Sequence, residues 1–279
     1  PAEVLSTAIR GVFVAREGKT YGVGDYSAIE ARKVFWFAGE KRGLKIMADG
    51  GDIYRDQASD IFDKPPEDLD VGFERMMGKT VILGCGYAMG WKKFKLTCKR
   101  SYGMVIEDEL CQKSVYSYRD RYTAVPKLWK ALDDAARRCI RTGRMIEAAD
   151  GKLTFWMDDG DLKIRLPSER DIIMRSARIS HDQIIFTNGK GYTETTYGGK
   201  ICEYVCSGSA RDVLADAIVM AEFDYDDVDP VMHSHDELVC EGEAGKVGKI
   251  VGEIMKIAVD AYEGLPMKIE TFEDDRYHK

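Results

Sequence analysis

Two acidic residues far apart in the chain each stand at the end of an apolar, strand-like run: Asp25 before Tyr26-Ser27-Ala28-Ile29-Glu30, and Asp236 within His235-Asp236-Glu237. A pair of carboxylates that folding brings to one point can hold two hard divalent cations against a phosphate chain. Between them Arg75, Lys79, Leu83 and Tyr87 recur at strict four-residue spacing. Each step of four turns a helix by roughly 40°, so one face is expected to carry two cations, an apolar side chain and an aromatic ring. Such a face suits a nucleoside triphosphate. In nucleotidyl transfer a primer 3′-hydroxyl attacks an α-phosphate, and charge stabilisation dominates the problem. Two ions roughly 3.5 to 4 Å apart can activate the attacking oxygen and neutralise the leaving one. Taken singly, each residue has a plainer reading: a strand-end Asp is a turn or cap, Arg75 and Lys79 an exposed helix face, Tyr87 core. Only the joint pattern favours chemistry.

The elements that must position these residues follow from periodicity. Val12 to Ala15 and Tyr21 to Ser27 read as two short strands joined by Glu17-Gly18-Lys19, a hairpin. Helical patterns run through Glu30, Val34 and Phe37 to Gly39, then from about Asp52 to Phe62, before Pro65-Pro66 breaks the chain. From Phe73 to Arg144 nearly everything reads helical, which predicts an all-α subdomain. Residues 144 to 197 alternate apolar and polar positions between Gly, Asp and Asn turns, the pattern of antiparallel sheet. A helix from Gly198 to about Glu222, an acidic turn over Asp224 to Asp229, a hairpin over Val231 to Cys240 tipped by His235 and Asp236, and a helix from Ala244 to Tyr262 complete the reading.

The chain has 279 residues, 44% hydrophobic, and no run of the roughly 18 to 20 apolar residues that a membrane span needs. With no basic-then-apolar leader pattern, the expected location is cytoplasmic. Seven cysteines without a Cys-x-x-Cys pair fit a reducing compartment better than disulfides or zinc. Net charge is −7, yet Trp91 to Arg144 holds fourteen basic residues against six acidic ones, +8, so the remainder carries −15. A basic segment beside an acidic body is compatible with phosphate tracking in one region and cation binding in another.

In order and local sequence, the three segments resemble the DNA polymerase I family, the family A DNA polymerases, and within it the phage and prophage members. Gly24-Asp25-Tyr26-Ser27-Ala28-Ile29-Glu30-Ala31-Arg32 is similar to the first palm motif, Arg75-x3-Lys79-x7-Tyr87 to the fingers motif, and His235-Asp236-Glu237 to the last palm motif. Phage-like stretches also occur at Gly51-Asp52-Ile53-Tyr54, Arg165-Leu166-Pro167-Ser168 and Tyr197-Gly198-Gly199-Lys200, and the resemblance runs from about Ile9 to an end, Asp275 to Lys279, like the family's own. It implies that Asp25, Asp236 and the backbone carbonyl of Tyr26 ligate two Mg²⁺ (or Mn²⁺) ions, with Glu237 a nearby acid. It further implies that Arg75 and Lys79 hold the triphosphate and that Glu30 lies under the sugar and blocks a 2′-hydroxyl; a lysine at that place is a compact charge able also to donate a proton to departing pyrophosphate. Leu83 and Tyr87 complete the nucleotide site, and His235, Arg165 and Lys200 contact DNA. Leu83 stands where many members have Phe or Tyr, Ala88 where Gly is common, and Tyr204 and Ser207 where the phage pattern has Asn and Gln.

The implied fold is α+β: an antiparallel palm sheet backed by helices, residues 1–40 and 145–279, with an inserted all-α fingers subdomain over 41–144. The implied function is template-dependent addition of deoxynucleotides to a primer. The implied partners are primer–template DNA and dNTPs; because Asp25 lies close to the start, the chain is expected to be either a shortened piece of a polymerase or the C-terminal half of one split in two, with a second chain carrying thumb and exonuclease. The competing expectation is a non-catalytic polymerase-like module that binds nucleic acid or a replisome partner.

Overall fold

A computed structural model describes residues 10–260 and 262–278. Ile9 and Lys279, the ends of the family-like region, lie outside the described residues. The chain forms two units, residues 1–29 with 210–279, and residues 30–209.

The first unit is built on Thr20–Tyr26 (β1), the second strand of a four-stranded antiparallel sheet. Its neighbours are Glu237–Gly242 (β9), with Val228–Ser234 (β8) beyond it, and Ile269–Asp274 (β10) on the other side. Side chains alternate across a strand, and here the alternation separates two faces. Gly22 and Gly24 face the helix Val247–Asp260 (α9): a Cβ on Gly24 would come within 2.3 Å of the Met255 sulfur, and one on Gly22 within 2.7 Å of the Val247 backbone carbon. The buried Tyr26 hydroxyl donates to the Met255 carbonyl on the same side, 2.8 Å. On the opposite face Tyr21, Val23, Val239 and Tyr277 form a buried cluster. That face continues in register to Asp25.

The second unit begins with Ile29–Ala38 (α1), followed by Lys41–Ala48 (α2) and Ile53–Phe62 (α3). Four further helices come next: Phe73–Cys85 (α4), Trp91–Tyr102 (α5), Asp108–Arg121 (α6) and Ala124–Thr142 (α7). A six-stranded antiparallel sheet follows in sequential order: Ile146–Ala148 (β2), Leu153–Asp158 (β3), Asp161–Arg165 (β4), Asp171–Ser180 (β5), Gln183–Thr187 (β6) and Thr193–Thr196 (β7). The apolar stripe of α7 (Val125, Leu128, Leu132, Ala136, Cys139) is buried, and α7 packs on strands β2 to β5. The long helix Gly198–Phe223 (α8) then leads back into the first unit.

The α+β class and the all-α run before the later strands agree with expectation. Three details differ. Residues 12–15 form no hairpin with β1: Val14 makes an isolated bridge to Arg276, and Ala15 N–H donates to the Asp275 carbonyl, so the C-terminal segment takes the place of a hairpin partner. The strands of residues 146–196 build their own sheet rather than extending the one that holds β1. Strand β10 and helix α2 carry weak sequence signals, the latter interrupted by Gly43, which is buried against the Phe35 ring.

One polar network ties α3 to α6. Arg121 grips Asp56 with two hydrogen bonds, 2.7 and 2.8 Å, and also pairs with Asp60, while Tyr122 donates to Asp56 at 3.1 Å. Burial alone would raise the Asp56 carboxyl, but Arg121, together with the Arg42 charge and the Tyr122 hydroxyl, outweighs it and holds the group below the usual carboxylate range. Breaking a largely buried pair strands the remaining charge, so Arg121→Ala should cost about 3 kcal/mol in urea unfolding. A depressed folded pKa stabilises above the ordinary carboxylate value of about 4, and the contribution is lost as pH falls through the lower folded value. The difference between wild type and Arg121→Ala should therefore shrink on acidification below about pH 4.

Candidate active site

The first unit presents its carboxylates in a row. Asp25 sits opposite Glu237 of β9 and opposite Glu270 of β10, so three acidic residues cross the sheet at one register level, on the face away from α9. Tyr26 N–H donates to the Asp236 carbonyl, 3.1 Å, which fixes the β8–β9 turn beside the end of β1. His235 makes that turn with φ at 54°, a left-handed backbone uncommon outside glycine, and its side chain is exposed. Asp25 and Asp236 are half-buried. Glu237 is 1% exposed and accepts a hydrogen bond from the Tyr277 hydroxyl, so it is the buried member of the row. Glu270 is exposed and pairs with Lys268 at 2.6 Å.

Like charges directly opposite each other destabilise a strand pair. A sheet end carrying Asp25, Asp236, Glu237 and Glu270 therefore fits a bound cation. Among the described residues no three His, Cys, Asp or Glu side chains are close enough to hold an ion by themselves. That donor set suits a hard ion such as Mg²⁺, which commonly binds through one or two carboxylates and completes its octahedron with water and substrate phosphate.

The second unit presents the cations. Gly78 on α4 lies so near the Tyr54 carbonyl that a Cβ would fall 2.0 Å from it, so α3 and α4 cross at this glycine. The crossing sets Arg75 and Lys79, one turn apart, over the Tyr54 ring, at 5.3 and 6.0 Å from its centroid. Asp52 works twice: Oδ1 caps α3 by accepting from Tyr54 and Arg55 N–H (2.9 and 3.2 Å), and Oδ2 accepts from Arg75 Nε at 2.6 Å. With Nε bonded to Asp52, the two terminal nitrogens of Arg75 are the donors left for a ligand. Among the described residues Lys79 has no ion pair. Leu83 is half-buried on the same helix.

Tyr87 departs from the four-residue series, because α4 ends at Cys85 and Tyr87 lies in the turn beyond. The turn is sharp: Ala88 adopts φ 61°, and its Cβ leaves room for nothing larger than Gly199 in α8. Tyr87 hydroxyl donates to Glu30 Oε2 at 3.3 Å. Burial, more than the neighbouring thiols or Glu30, pushes that hydroxyl well above the usual phenol range, so it remains a donor. Ser207 Oγ donates to Glu30 Oε1 at 3.1 Å.

Two residues expected at DNA are engaged within the protein. Arg165 forms a two-pronged pair with Asp171 on the adjacent strand, and Lys200 bonds both oxygens of Glu203 (2.9 and 3.0 Å) over the Tyr204 ring. The residues that sequence reasoning left without a role are Asp52, Ser207, Glu270 and Tyr277. Asp52 was visible as a helix start and Ser207 as a departure, but their contacts join residues 23 and 177 positions apart.

Comparison with known proteins shows the family and the fold. The profile of DNA polymerase family A matches residues 2–149. The DNA polymerase of Bacillus phage SP02 is 31% identical over 99% of this chain, and DNA polymerase I of Aquifex aeolicus is 24% identical over 97%. The chain spans 44% and 41% of those two proteins' lengths. The polymerase domain of Pol1 from M. smegmatis, solved with primer–template DNA and dNTP, shares the fold with a TM-score of 0.63 over 96% of this chain and 42% of its own, at 16% identity. The chain belongs to DNA polymerase family A.

Proposed function

We propose that this chain carries the catalytic part of a template-directed DNA polymerase, joining deoxynucleotides to a primer 3′-hydroxyl. The observation that carries this reading is the sheet end at which β1 and the β8–β9 turn meet, bearing Asp25 and Asp236 of the two palm motifs. In it, Asp25, Asp236 and the Tyr26 carbonyl would hold two Mg²⁺ ions, which when bound would polarise the attacking hydroxyl and neutralise the pyrophosphate that leaves. The Arg75 fork binds phosphate oxygens, pre-aligned by Asp52, and suits multidentate contact. Lys79, a compact charge, holds the triphosphate and supplies a proton to the leaving pyrophosphate. Glu30 occupies the space beneath the sugar, Leu83 lies by the sugar ring and Tyr87 near the templating base, and Glu237 is the buried acid of the row. His235, Arg165 and Lys200 are proposed to reach DNA, the last two by exchanging Asp171 and Glu203 for phosphate.

In functional terms residues 1–40 and 145–279 act as palm and 41–144 as fingers, whose movement over the nucleotide would complete the site. Primer–template DNA and dNTPs are the proposed partners. Primer extension in Mg²⁺ tests the reading: template-matched dNTPs should be added and NTPs refused. Absence of dNTP addition would overturn it.

A further inference from the structure

Glu30 is an exposed carboxylate on the first turn of α1, yet both its oxygens are engaged. Tyr87 takes Oε2 and Ser207 takes Oε1. A glutamate with one tether can still swing about its side-chain torsions, whereas donors on both oxygens fix the carboxylate plane. Ser207 itself is exposed on α8, and among the described residues its hydroxyl makes no other side-chain hydrogen bond. Packing therefore gives no reason for a hydroxyl at this position, and Glu30 gives one.

We propose that Ser207 is a positioning residue for sugar selection: by holding Glu30 Oε1 it keeps the carboxylate in the space a ribose 2′-hydroxyl would need. The inference rests on the polymerase reading. A carboxylate that cannot retreat excludes the hydroxyl sterically, whereas one that rotates aside admits it and can even accept its hydrogen bond. Ser207 is short enough to end at Glu30, so its effect falls on the choice between deoxyribose and ribose.

The test is single-nucleotide incorporation by the full polymerase on one primer–template, with dNTP and NTP of the same base, read as the ratio of their kcat/KM values. Ser207→Ala should lower the ratio about tenfold, the size expected when one hydrogen bond to a charged group is lost. Ser207→Thr keeps the hydroxyl and should stay within about threefold of wild type. Ser207→Ala added to Glu30→Ala should change nothing more, since the group it positions is gone. Alanine is the strongest helix former and the position is exposed, so the fold should persist, checked by the melting temperature. A ratio for Ser207→Ala within about twofold of wild type, or an equal loss on the Glu30→Ala background, overturns the role of Ser207 and leaves the polymerase reading intact. A wild-type enzyme that adds neither nucleotide overturns both.

Discussion

Asp25→Asn and Asp236→Asn should each reduce primer extension by about three orders of magnitude while leaving the fold intact. The size follows from the proposed role. Metal ions that neutralise developing charge lower the barrier by several kcal/mol, and 1.36 kcal/mol is worth one decade in rate. Losing one of two anchoring carboxylates forfeits about 4 kcal/mol of that stabilisation, which is about a thousandfold. A structural role predicts the opposite pattern. Asp25 faces Glu237 on one neighbouring strand and Glu270 on the other, so Asp25→Asn takes one like charge out of both cross-strand pairs while keeping the side chain's size. Cross-strand pairs are worth about 0.2 to 1 kcal/mol, so Asp25→Asn should melt at or slightly above the wild-type temperature. Activity lost while stability is kept or gained is the signature of a site whose charge serves function at a cost to the fold. Stopped-flow incorporation and calorimetry on the same preparations measure both quantities. Near-wild-type extension by either variant would remove that residue from the metal site.

The elements of this site were more legible in the sequence than its contacts. Strand β1, the hairpin tipped by His235 and Asp236, and helices α1, α3 and α8 all announce themselves through period and punctuation, because alternation and caps are local properties. The expected hairpin of residues 12–15 with β1 failed for a corresponding reason. Turn residues and two short apolar runs describe a hairpin equally well whether the first run pairs with its neighbour or, as here, with residues 275–277 at the far end of the chain. Tyr87 shows a second limit. Four-residue spacing continues past Cys85, but the helix does not, and no local signal separates Tyr87 on a helix face from Tyr87 in a turn reaching Glu30. Asp52 shows a third: the cap was readable, whereas its second oxygen, committed to Arg75, depends on how α3 crosses α4 at Gly78.

That crossing separates the duties of the two cations and leads to the second large effect. Lys79→Ala should lower kcat for dNTP incorporation about a hundredfold, the lower end of what a positioned general acid contributes. Arg75→Ala should act mainly on KM, because a fork that grips phosphate in both ground and transition states provides uniform binding. Asp52 holds Arg75 Nε at 2.6 Å, so the arginine is preorganised before any nucleotide arrives. Among the described residues Lys79 has no such anchor; it rests over the Tyr54 ring, which leaves its ammonium able to follow the phosphate as charge develops. The discriminating variant is Lys79→Arg. It keeps the positive charge but offers a group that does not give up its proton in proteins. If Lys79 only binds phosphate, Lys79→Arg restores both constants; if it also donates the proton, KM recovers and kcat stays low. The same logic applies to Asp52→Asn, which keeps a capping oxygen for α3 while weakening the hold on Arg75, and so should raise the dNTP KM without the loss of kcat seen for Lys79→Ala.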